Sequence, residues 1–380
     1  MSPMVAPLPN LYGLDRQELA AALAPLGVAP YRVRQVHRAL YRRDALAPEG
    51  WTDLPTSLRA AIAGRFRVVR PGIVGRTAAS DGTVKYELGL EDGARVEAVA
   101  IPADGRMTFC ISSQVGCAFG CAFCMTARLG FRRHLDTGEI VGQVAALRAE
   151  TNVDQGAYNI VFMGMGEPLH NFDALERALR ILGDDLGFAL GPRRLTVSTV
   201  GLPDRIRALA RVDPPPRLAV SLVSADPDVR ASLMPVARRH SLDELAAAIR
   251  DYGADRRDRP TLEVVLLAGV NDTPEQAERL ARYAAACRAK VNLIEFNPTP
   301  ELPFAPASDD TIERFLGQLV RRGITATVRR SRGRDAFAAC GQLAFLDAVT
   351  GAPGARGFSG PRARRGSRET PRCSDTPTAS

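Results

Sequence analysis

Apolar positions along the chain follow two different periods, and the change between them divides the sequence. From about Leu11 to Phe66 the period is helical, as in DRQELAAALAPLG, where Asp15 and Glu18 have the spacing of a capping box. The segment YRVRQVHRALYRRDAL continues with the same period. Next, TVKYELGLEDGARVEAVAIP has the pattern of two strands joined at EDG. We therefore predict a helical amino-terminal region followed by a β-hairpin.

Strand and helix patterns alternate from Met107 onward. Seven apolar segments are predicted as strands: MTFCIS, YNIVFMG, RLTVST, RLAVSL, TLEVVLL, VNLIEF and ITATVRR. Amphipathic helical segments lie between them, including TGEIVGQVAALRAE, NFDALERALRILG, LDELAAAIRDYG and PEQAERLARYAAACR. This alternation predicts an α/β fold with a parallel sheet, arranged as a partial or full β/α barrel. The pattern alone does not decide between a barrel and an open sheet.

Four regions follow from these patterns. We predict a helical accessory domain at residues 1–70, a β-hairpin extension at 71–104 and the β/α core at 105–348. Residues 349–380 are rich in Gly, Pro, Ser and Thr and lack apolar periodicity. A segment of that composition cannot bury enough apolar surface to fold, so we predict a disordered tail.

Composition narrows the class of protein. The chain has 380 residues, of which 46% are hydrophobic, so it can build a large core. The start, MSPMVAPLPN, lacks the features of a signal peptide, and no apolar run reaches the roughly 18–20 residues of a membrane span. We therefore expect a cytoplasmic protein with no membrane partner. A formal net charge of +8 is typical of proteins that bind nucleic acid.

Positive charge is concentrated in two places. The predicted tail holds six arginines and two acidic residues, and it either contacts RNA phosphates or is a solvated tail with no specific role. The second predicted helix carries six basic side chains before its first acid, and these are Arg32, Arg34, His37, Arg38, Arg42 and Arg43. We favour an RNA-facing surface over a merely solvated helix face.

Chemically active residues follow the predicted strands, which is where catalysis gathers in β/α barrels. The first strand leads into a cysteine cluster, the second into GMGEP at residues 164–168, and the seventh towards Cys340. Three other strands run into Ser198, Ser221 and Asn297. We expect these groups to converge on one rim.

The cysteine cluster has the spacing C-x3-C-x2-C, formed by Cys117, Cys121 and Cys124, and Cys110 stands apart upstream. An odd number of cysteines in a large cytosolic chain favours metal binding or catalysis over a disulfide framework. Three thiolates can hold three corners of an iron–sulfur cluster and leave one iron open, although typical [4Fe–4S] clusters use four cysteines. Structural zinc is the alternative, and His134 is available to it, but no second C-x2-C or H-x3-H pair follows.

C-x3-C-x2-C after the first strand of a β/α repeat resembles the radical S-adenosylmethionine (SAM) superfamily. The likeness extends to the RlmN/Cfr family of RNA adenine methyltransferases through SSQVGCAFGCAFCMTARLGFRRHLDTGEIVGQV, FMGMGEPLHNFD, LMPV, VNLIEFNP and VRRSRGRDAFAACGQL. The amino-terminal segments YRVRQVHRALYRRDAL, WTDLPTSLRAAI and LEDGARVEAVAIP are similar to the same family. The resemblance covers about Leu11 to Leu346.

The resemblance implies one [4Fe–4S] cluster, held by Cys117, Cys121 and Cys124, with SAM chelated to the open iron. Gly166 and Glu167 match the element that meets the amino group of SAM, where a carboxylate accepts charge-assisted hydrogen bonds. Further cofactor contacts are implied at Ser198, Ser221, Leu222 and Asn297.

One position departs from the family. The family usually reads Ser-Leu-His where this chain reads Ser-Leu-Val, with Val223 in place of the histidine. A backbone contact to the cofactor survives that change and a side-chain contact does not. We therefore leave Val223 out of the predicted site.

Radical chemistry explains how an electron-poor carbon such as adenine C2 is methylated, since its C–H is not acidic enough for ordinary alkylation. The resemblance implies that one SAM methylates Cys340 and that a second yields a 5′-deoxyadenosyl radical, which takes a hydrogen from the new S-methyl group. The resulting methylene radical adds to adenine. Cys110 matches the thiol that resolves the covalent RNA adduct through a transient disulfide with Cys340, and Glu97 matches the proton acceptor.

The implied function is methylation of adenine C2 in 23S rRNA, at the peptidyl-transferase centre, and in tRNA at the adenosine 3′ of the anticodon. One alternative is a Cfr-like enzyme that methylates adenine C8 of 23S rRNA, and the other is a non-catalytic RNA- or zinc-binding homologue. The full amino-terminal region and the long chain favour C2. We also expect a monomer that receives electrons from a flavodoxin-type or other donor.

Overall fold

All seven strands predicted after Met107 form and lie in one sheet. The computed structural model describes residues 8–344 apart from 104 and 255, so the predicted tail at 349–380 lies outside the described residues. The described strands are β1 Gly72–Ala78, β2 Val84–Gly89, β3 Arg95–Ala103, β4 Arg106–Cys110, β5 Gln114–Gly116, β6 Phe131–His134, β7 Tyr158–Phe162, β8 Leu195–Thr199, β9 Arg217–Ser221, β10 Thr261–Leu266, β11 Lys290–Glu295 and β12 Ala326–Arg329.

Sheet order matches chain order. Strands β4 and β7 to β12 are parallel neighbours, and β3, β2 and β1 extend the β4 edge in antiparallel fashion. Within the described chain, β1 and β12 each have one neighbour in the sheet, so the barrel is partial. This confirms the α/β class and the partial barrel. The hairpin of β5 and β6 and the edge strand β1 were not predicted.

Helices alternate with the parallel strands along the chain, and several begin at capping residues. They are α1 Arg16–Leu23, α2 Pro30–Tyr41, α3 Thr56–Ala63, α4 Met125–Arg128, α5 Thr137–Thr151, α6 Phe172–Gly183, α7 Pro203–Leu209, α8 Pro227–Leu233, α9 Leu242–Gly253, α10 Pro274–Cys287 and α11 Asp309–Arg321. The predicted capping box forms, since Asp15 accepts from the backbone of Glu18 and Glu18 accepts from the backbone of Asp15, both at 2.9 Å. In the described part of the chain we find no helix with the length and hydrophobicity of a membrane span.

The parallel strands are apolar outside and polar inside. Successive strand residues point to opposite faces. The outer face buries Val197, Val220 and Leu262 among others. The inner, concave face carries polar side chains that line cavities, and these include Thr196, Ser198, Ser221, Glu263, Asn292, Thr327 and Arg329. Strand alternation therefore places the chemically active groups inside the partial barrel.

The prediction of an RNA-facing surface on α2 is wrong for His37. His37 is fully buried, as is the neighbouring Tyr41, whose ring centroid lies 4.8 Å away. Its Nδ1 lies 3.8 Å from an Asp184 carboxylate oxygen. Helical periodicity turns these two side chains into the core, while Arg34 and Arg38 remain exposed.

Acidification is expected to destabilise the fold through His37. Burial lowers the pKa of His37 from 6.5 to about 4, against the opposing effect of Asp184. The unfolded chain then binds the proton more tightly, so stability is lost as the pH falls from 6.5 towards 4. Between pH 7 and pH 5 the loss is about 2 kcal/mol. In urea unfolding, His37→Phe is expected to lack this loss of stability, whereas the control His240→Phe is expected to keep it. The same pH dependence in both variants would contradict the role of His37.

Candidate active site

Two cavities open on the concave face and meet at Cys340. The smaller has a volume of about 170 Å³, and its lining includes Cys117, Cys121 and Cys124. The larger has a volume of about 800 Å³, and Cys110 lines it. Because Cys340 lines both, the fold brings together five cysteines from two distant parts of the chain.

A tight loop between β5 and α4 carries the three motif cysteines. Gly116 begins it with φ 77°, and a Cβ there would lie 1.7 Å from the carbonyl oxygen of Gly130. The backbone of Cys117 donates to the same carbonyl at 3.1 Å. Burial raises the pKa of Cys117 to about 11 and raises those of Cys121 and Cys124. The charges of Cys117 and Cys124 raise the pKa of Cys121 further, which shows that the thiols share one environment.

The loop fits an iron–sulfur cluster in its donor chemistry. Its three thiols line one cavity, and thiolates are the usual ligands of [4Fe–4S] clusters. Among the described residues, no group of three or more His, Cys, Asp or Glu side chains is arranged to hold a single metal ion. His134, the fourth ligand weighed for zinc, has its Nδ1 3.0 Å from the Gln114 amide nitrogen.

Gly166 and Glu167, which follow β7, line the same cavity as that loop. Gly166 has φ 97°, and a Cβ there would lie 2.5 Å from Cβ of Gln114. The Glu167 carboxylate is 2% exposed and accepts from the backbone N–H groups of Leu169 at 2.9 Å and Val200 at 2.8 Å. Burial raises its pKa to about 7 despite these hydrogen bonds. A buried carboxylate at this place favours a cationic ligand.

The remaining predicted cofactor contacts lie at different depths. Ser198 and Ser221 line the smaller cavity at the ends of β8 and β9. Leu222 lies behind that wall with no exposure, and its carbonyl accepts from the buried Arg230 at 2.6 Å. Asn297 is 3% exposed, and its amide donates to the backbone carbonyl of Cys340 at 3.1 Å. The structure therefore places two of these four side chains at the cavity and two behind it.

Val223 lines the smaller cavity and has a left-handed backbone conformation that is unfavourable for valine. Its φ is 64°, which is rare for a β-branched side chain and more common for Asn, Asp or His. Its N–H donates to the backbone carbonyl of Glu263 at 3.3 Å, and its carbonyl accepts from the side-chain amide of Asn271 at 2.8 Å. The backbone at this position is held by protein contacts that do not depend on the side chain.

Cys110 and Cys340 lie beside Arg329 and Glu263, two residues missed in the sequence. The pKa of Cys110 is raised to about 12, mainly by burial and also by the Cys340 thiol, while Arg329 opposes the rise. Cys340, Glu263 and Cys110 raise the pKa of Arg329, and Cys340 contributes most. Strand alternation within TLEVVLL and ITATVRR was the available signal, since these segments contain Glu263 and Arg329 and a charged residue within an apolar strand must face a polar interior.

The segment after β12 returns across the barrel and delivers Cys340. Arg332 donates to the Pro102 carbonyl on β3 at 3.0 Å, and the N–H of Gly333 donates to Asp81 at 3.0 Å. The carbonyl of Gly341 accepts from the backbone of Met125, at the start of α4, at 2.8 Å. These contacts join the two ends of the sheet and hold Cys340 next to the cysteine loop.

Glu97 lies on the concave face of β3 but is sealed from both cavities. It shares that face with Val99, which pairs with Cys110 across the strands. Its carboxylate is fully buried and lies 2.9 Å from Nζ of Lys85, which is itself 2% exposed. Burial raises the pKa of Glu97 and the Lys85 charge lowers it, so a raised pKa reflects desolvation.

Known proteins share both the sequence and this architecture. The model of the radical SAM superfamily matches residues 111–294. The dual-specificity RNA methyltransferase RlmN of Anaeromyxobacter dehalogenans is 44% identical over 352 residues, which cover 91% of this chain and 93% of that protein. The protein of that name from Syntrophobacter fumaroxidans is 43% identical over 326 residues, covering 86% and 95%.

One solved structure agrees in detail. The crystal structure of a radical SAM methyltransferase from Sphaerobacter thermophilus superposes with a TM-score of 0.83 at 45% identity, covering 88% of this chain and 99% of that one. Its radical SAM fold confirms the predicted class and implies a [4Fe–4S] cluster and SAM as cofactors. This chain therefore belongs to the RlmN family of radical SAM RNA methyltransferases.

Proposed function

We propose that this enzyme methylates C2 of adenine in 23S rRNA, and in tRNA at the adenosine 3′ of the anticodon, through a methylated Cys340. The observation that carries the proposal is the position of Cys340, which lines both the cavity of the three motif cysteines and the cavity of Cys110. A cysteine so placed can be methylated and activated on one side and meet a base on the other.

Cys117, Cys121 and Cys124 would hold the cluster, and Glu167 would accept a hydrogen bond from the amino group of SAM. When bound, the two cofactors supply the methyl group and the one-electron chemistry that an unactivated carbon needs. The electron comes from a flavodoxin-type or other donor. Ser198 and Ser221 line the space left for SAM, while Leu222 and Asn297 act through the backbone that positions it.

Cys110 would release the product from Cys340. Its thiolate attacks the Cys340 sulfur, the bond from that sulfur to the methylene carbon breaks, and the electron pair moves to carbon. That carbon takes a proton to become the methyl group, and the new disulfide must be reduced before the next turnover. Burial raises the pKa of Cys110, and Arg329 opposes that rise and so favours the thiolate this step requires.

Glu97 would take the proton that adenine C2 loses. Burial raises its pKa, which makes the carboxylate a stronger proton acceptor. Lys85 holds it behind the cavity wall, so proton transfer requires Glu97 to turn from Lys85 towards Cys110. This movement is part of the proposal.

Mass spectrometry of nucleosides tests the function. RNA from a strain lacking this gene is expected to lose 2-methyladenosine from both 23S rRNA and tRNA, and the intact gene is expected to restore it. Loss of 8-methyladenosine would favour the Cfr-like alternative. Loss of neither nucleoside would overturn both assignments, and zinc without iron after anaerobic purification would point to a non-catalytic homologue.

Replacing Glu167 with Gln is expected to weaken SAM binding about 10- to 100-fold, because a charge-assisted hydrogen bond is worth about 1.5–3 kcal/mol. Gln keeps the shape but cannot accept equally at both oxygens, which now bond to Leu169 and Val200. Equilibrium dialysis with SAM on the cluster-loaded protein measures the effect. Glu313→Gln, at an exposed position of α11, is the control, and equal affinity in both variants would contradict the role of Glu167.

A further inference from the structure

The larger cavity runs the length of the parallel strands. At their carboxyl ends it reaches Cys110 and Cys340. At their amino ends its lining includes Arg217, the first residue of β9, and Lys290, the first residue of β11. A cavity of about 800 Å³ therefore connects the reactive thiols to an opening at the amino ends of the strands.

That opening is strongly basic. We call it the basic mouth and define it by Arg193, Arg217, Arg256, Arg257, Arg259 and Lys290. Among the described residues that line the cavity at this end, the acidic side chain is Asp258, which pairs with both Arg217 and Lys290. One carboxylate against six cations leaves a large excess of positive charge.

Several of these cations are held in place without being neutralised. Arg256 lies 3.9 Å from the ring centroid of the buried Tyr252 and donates to backbone carbonyls. Arg259 donates to the Thr325 hydroxyl at 2.8 Å. Arg193 and Arg257 are exposed and form no ion pair with another described residue. Guanidinium groups arranged in this way are suited to phosphate, which they bind through paired N–H donors.

We propose that RNA enters the partial barrel through the basic mouth, which binds the phosphates flanking the target adenine while the unstacked base passes up the cavity to Cys340. This inference rests on the proposed function. An enzyme that modifies a base must first remove that base from the stacked helix. Proteins bind single-stranded nucleic acid in positively charged grooves that follow its phosphate backbone. The mouth also lies opposite the cysteine loop, so RNA and SAM reach Cys340 from different sides.

Salt-dependent RNA binding tests the mouth. We use the full-length, cluster-loaded protein and an unmodified transcript of the 23S rRNA peptidyl-transferase region. Arg193→Ala/Arg257→Ala removes two exposed cations and is expected to reduce the slope of log K against log salt by about 2, one for each lost phosphate contact. Arg282→Ala, at an exposed position of α10, is the matched control and is expected to keep the wild-type slope.

A second double variant tests the competing surface. Arg34→Ala/Arg38→Ala removes exposed cations from α2. An unchanged salt dependence of RNA binding in Arg193→Ala/Arg257→Ala would overturn the role of the basic mouth. The contradiction would be most direct if the α2 variant instead had the smaller slope. Wild-type protein that methylates no RNA would overturn the proposed function, whereas the binding slopes would still decide the mouth.

Discussion

Replacing Cys110 with Ala is expected to leave RNA covalently attached to Cys340. Without the second thiol, the bond between the Cys340 sulfur and the methylene carbon on adenine has no nucleophile to break it. Each enzyme molecule then traps a single RNA, and release of methylated product stops. Denaturing electrophoresis should show a nuclease-sensitive band of higher mass, and peptide mass spectrometry should locate the modification at Cys340.

The structure supplies a matched control for this variant. Cys287 on α10 is also a buried cysteine, with 1% of its surface exposed, and lies in neither cavity lining. Cys287→Ala is expected to turn over normally without an adduct. Free, unmodified RNA and no adduct from Cys110→Ala would contradict the role proposed for Cys110. An adduct mapped to a residue other than Cys340 would contradict the role of Cys340.

Separating Lys85 from Glu97 is expected to cost about 3–5 kcal/mol of unfolding free energy, because either single change leaves an unpaired charge in the core. Lys85→Met leaves the fully buried Glu97 carboxylate without its ion-pair partner. The double variant Lys85→Met/Glu97→Gln removes both charges and is expected to recover most of the loss. Urea unfolding of Lys85→Met, Glu97→Gln and the double variant measures this cycle.

The same variants separate a structural role of Glu97 from a catalytic one. If Glu97 takes the proton from C2, the double variant folds but does not methylate RNA. Normal methylation by that variant would show that Glu97 serves only to pair Lys85. Arg314→Met breaks an exposed pair with Asp310 on α11 and is expected to cost at most about 0.5 kcal/mol. If Lys85→Met lowered the unfolding free energy no more than Arg314→Met does, that result would contradict the proposed contribution of the buried Lys85–Glu97 pair.

Local sequence determined much of this protein. Short apolar segments alternating with amphipathic helical segments predicted all seven parallel strands, because the apolar residues that bury each strand lie within a few positions of one another. The capping box of Asp15 and Glu18 and the C-x3-C-x2-C loop are also contacts between near neighbours, so a short window contains all their partners. The same locality made the family recognisable. It failed for His37, where a basic helix was expected to face RNA and one of its side chains lies in the core.

Only the tertiary structure decided which distant groups meet. Lys85 reaches Glu97 diagonally, because the register of β2 and β3 places Lys85 opposite Val99, two residues along from Glu97. Cys110 meets Cys340 because the segment after β12 crosses back to β3. The basic mouth collects side chains from the starts of several strands, which sheet order alone brings together. Periodicity shows which residues share a face of one strand. It does not encode which strands are neighbours, and the geometry of this site depends on that order.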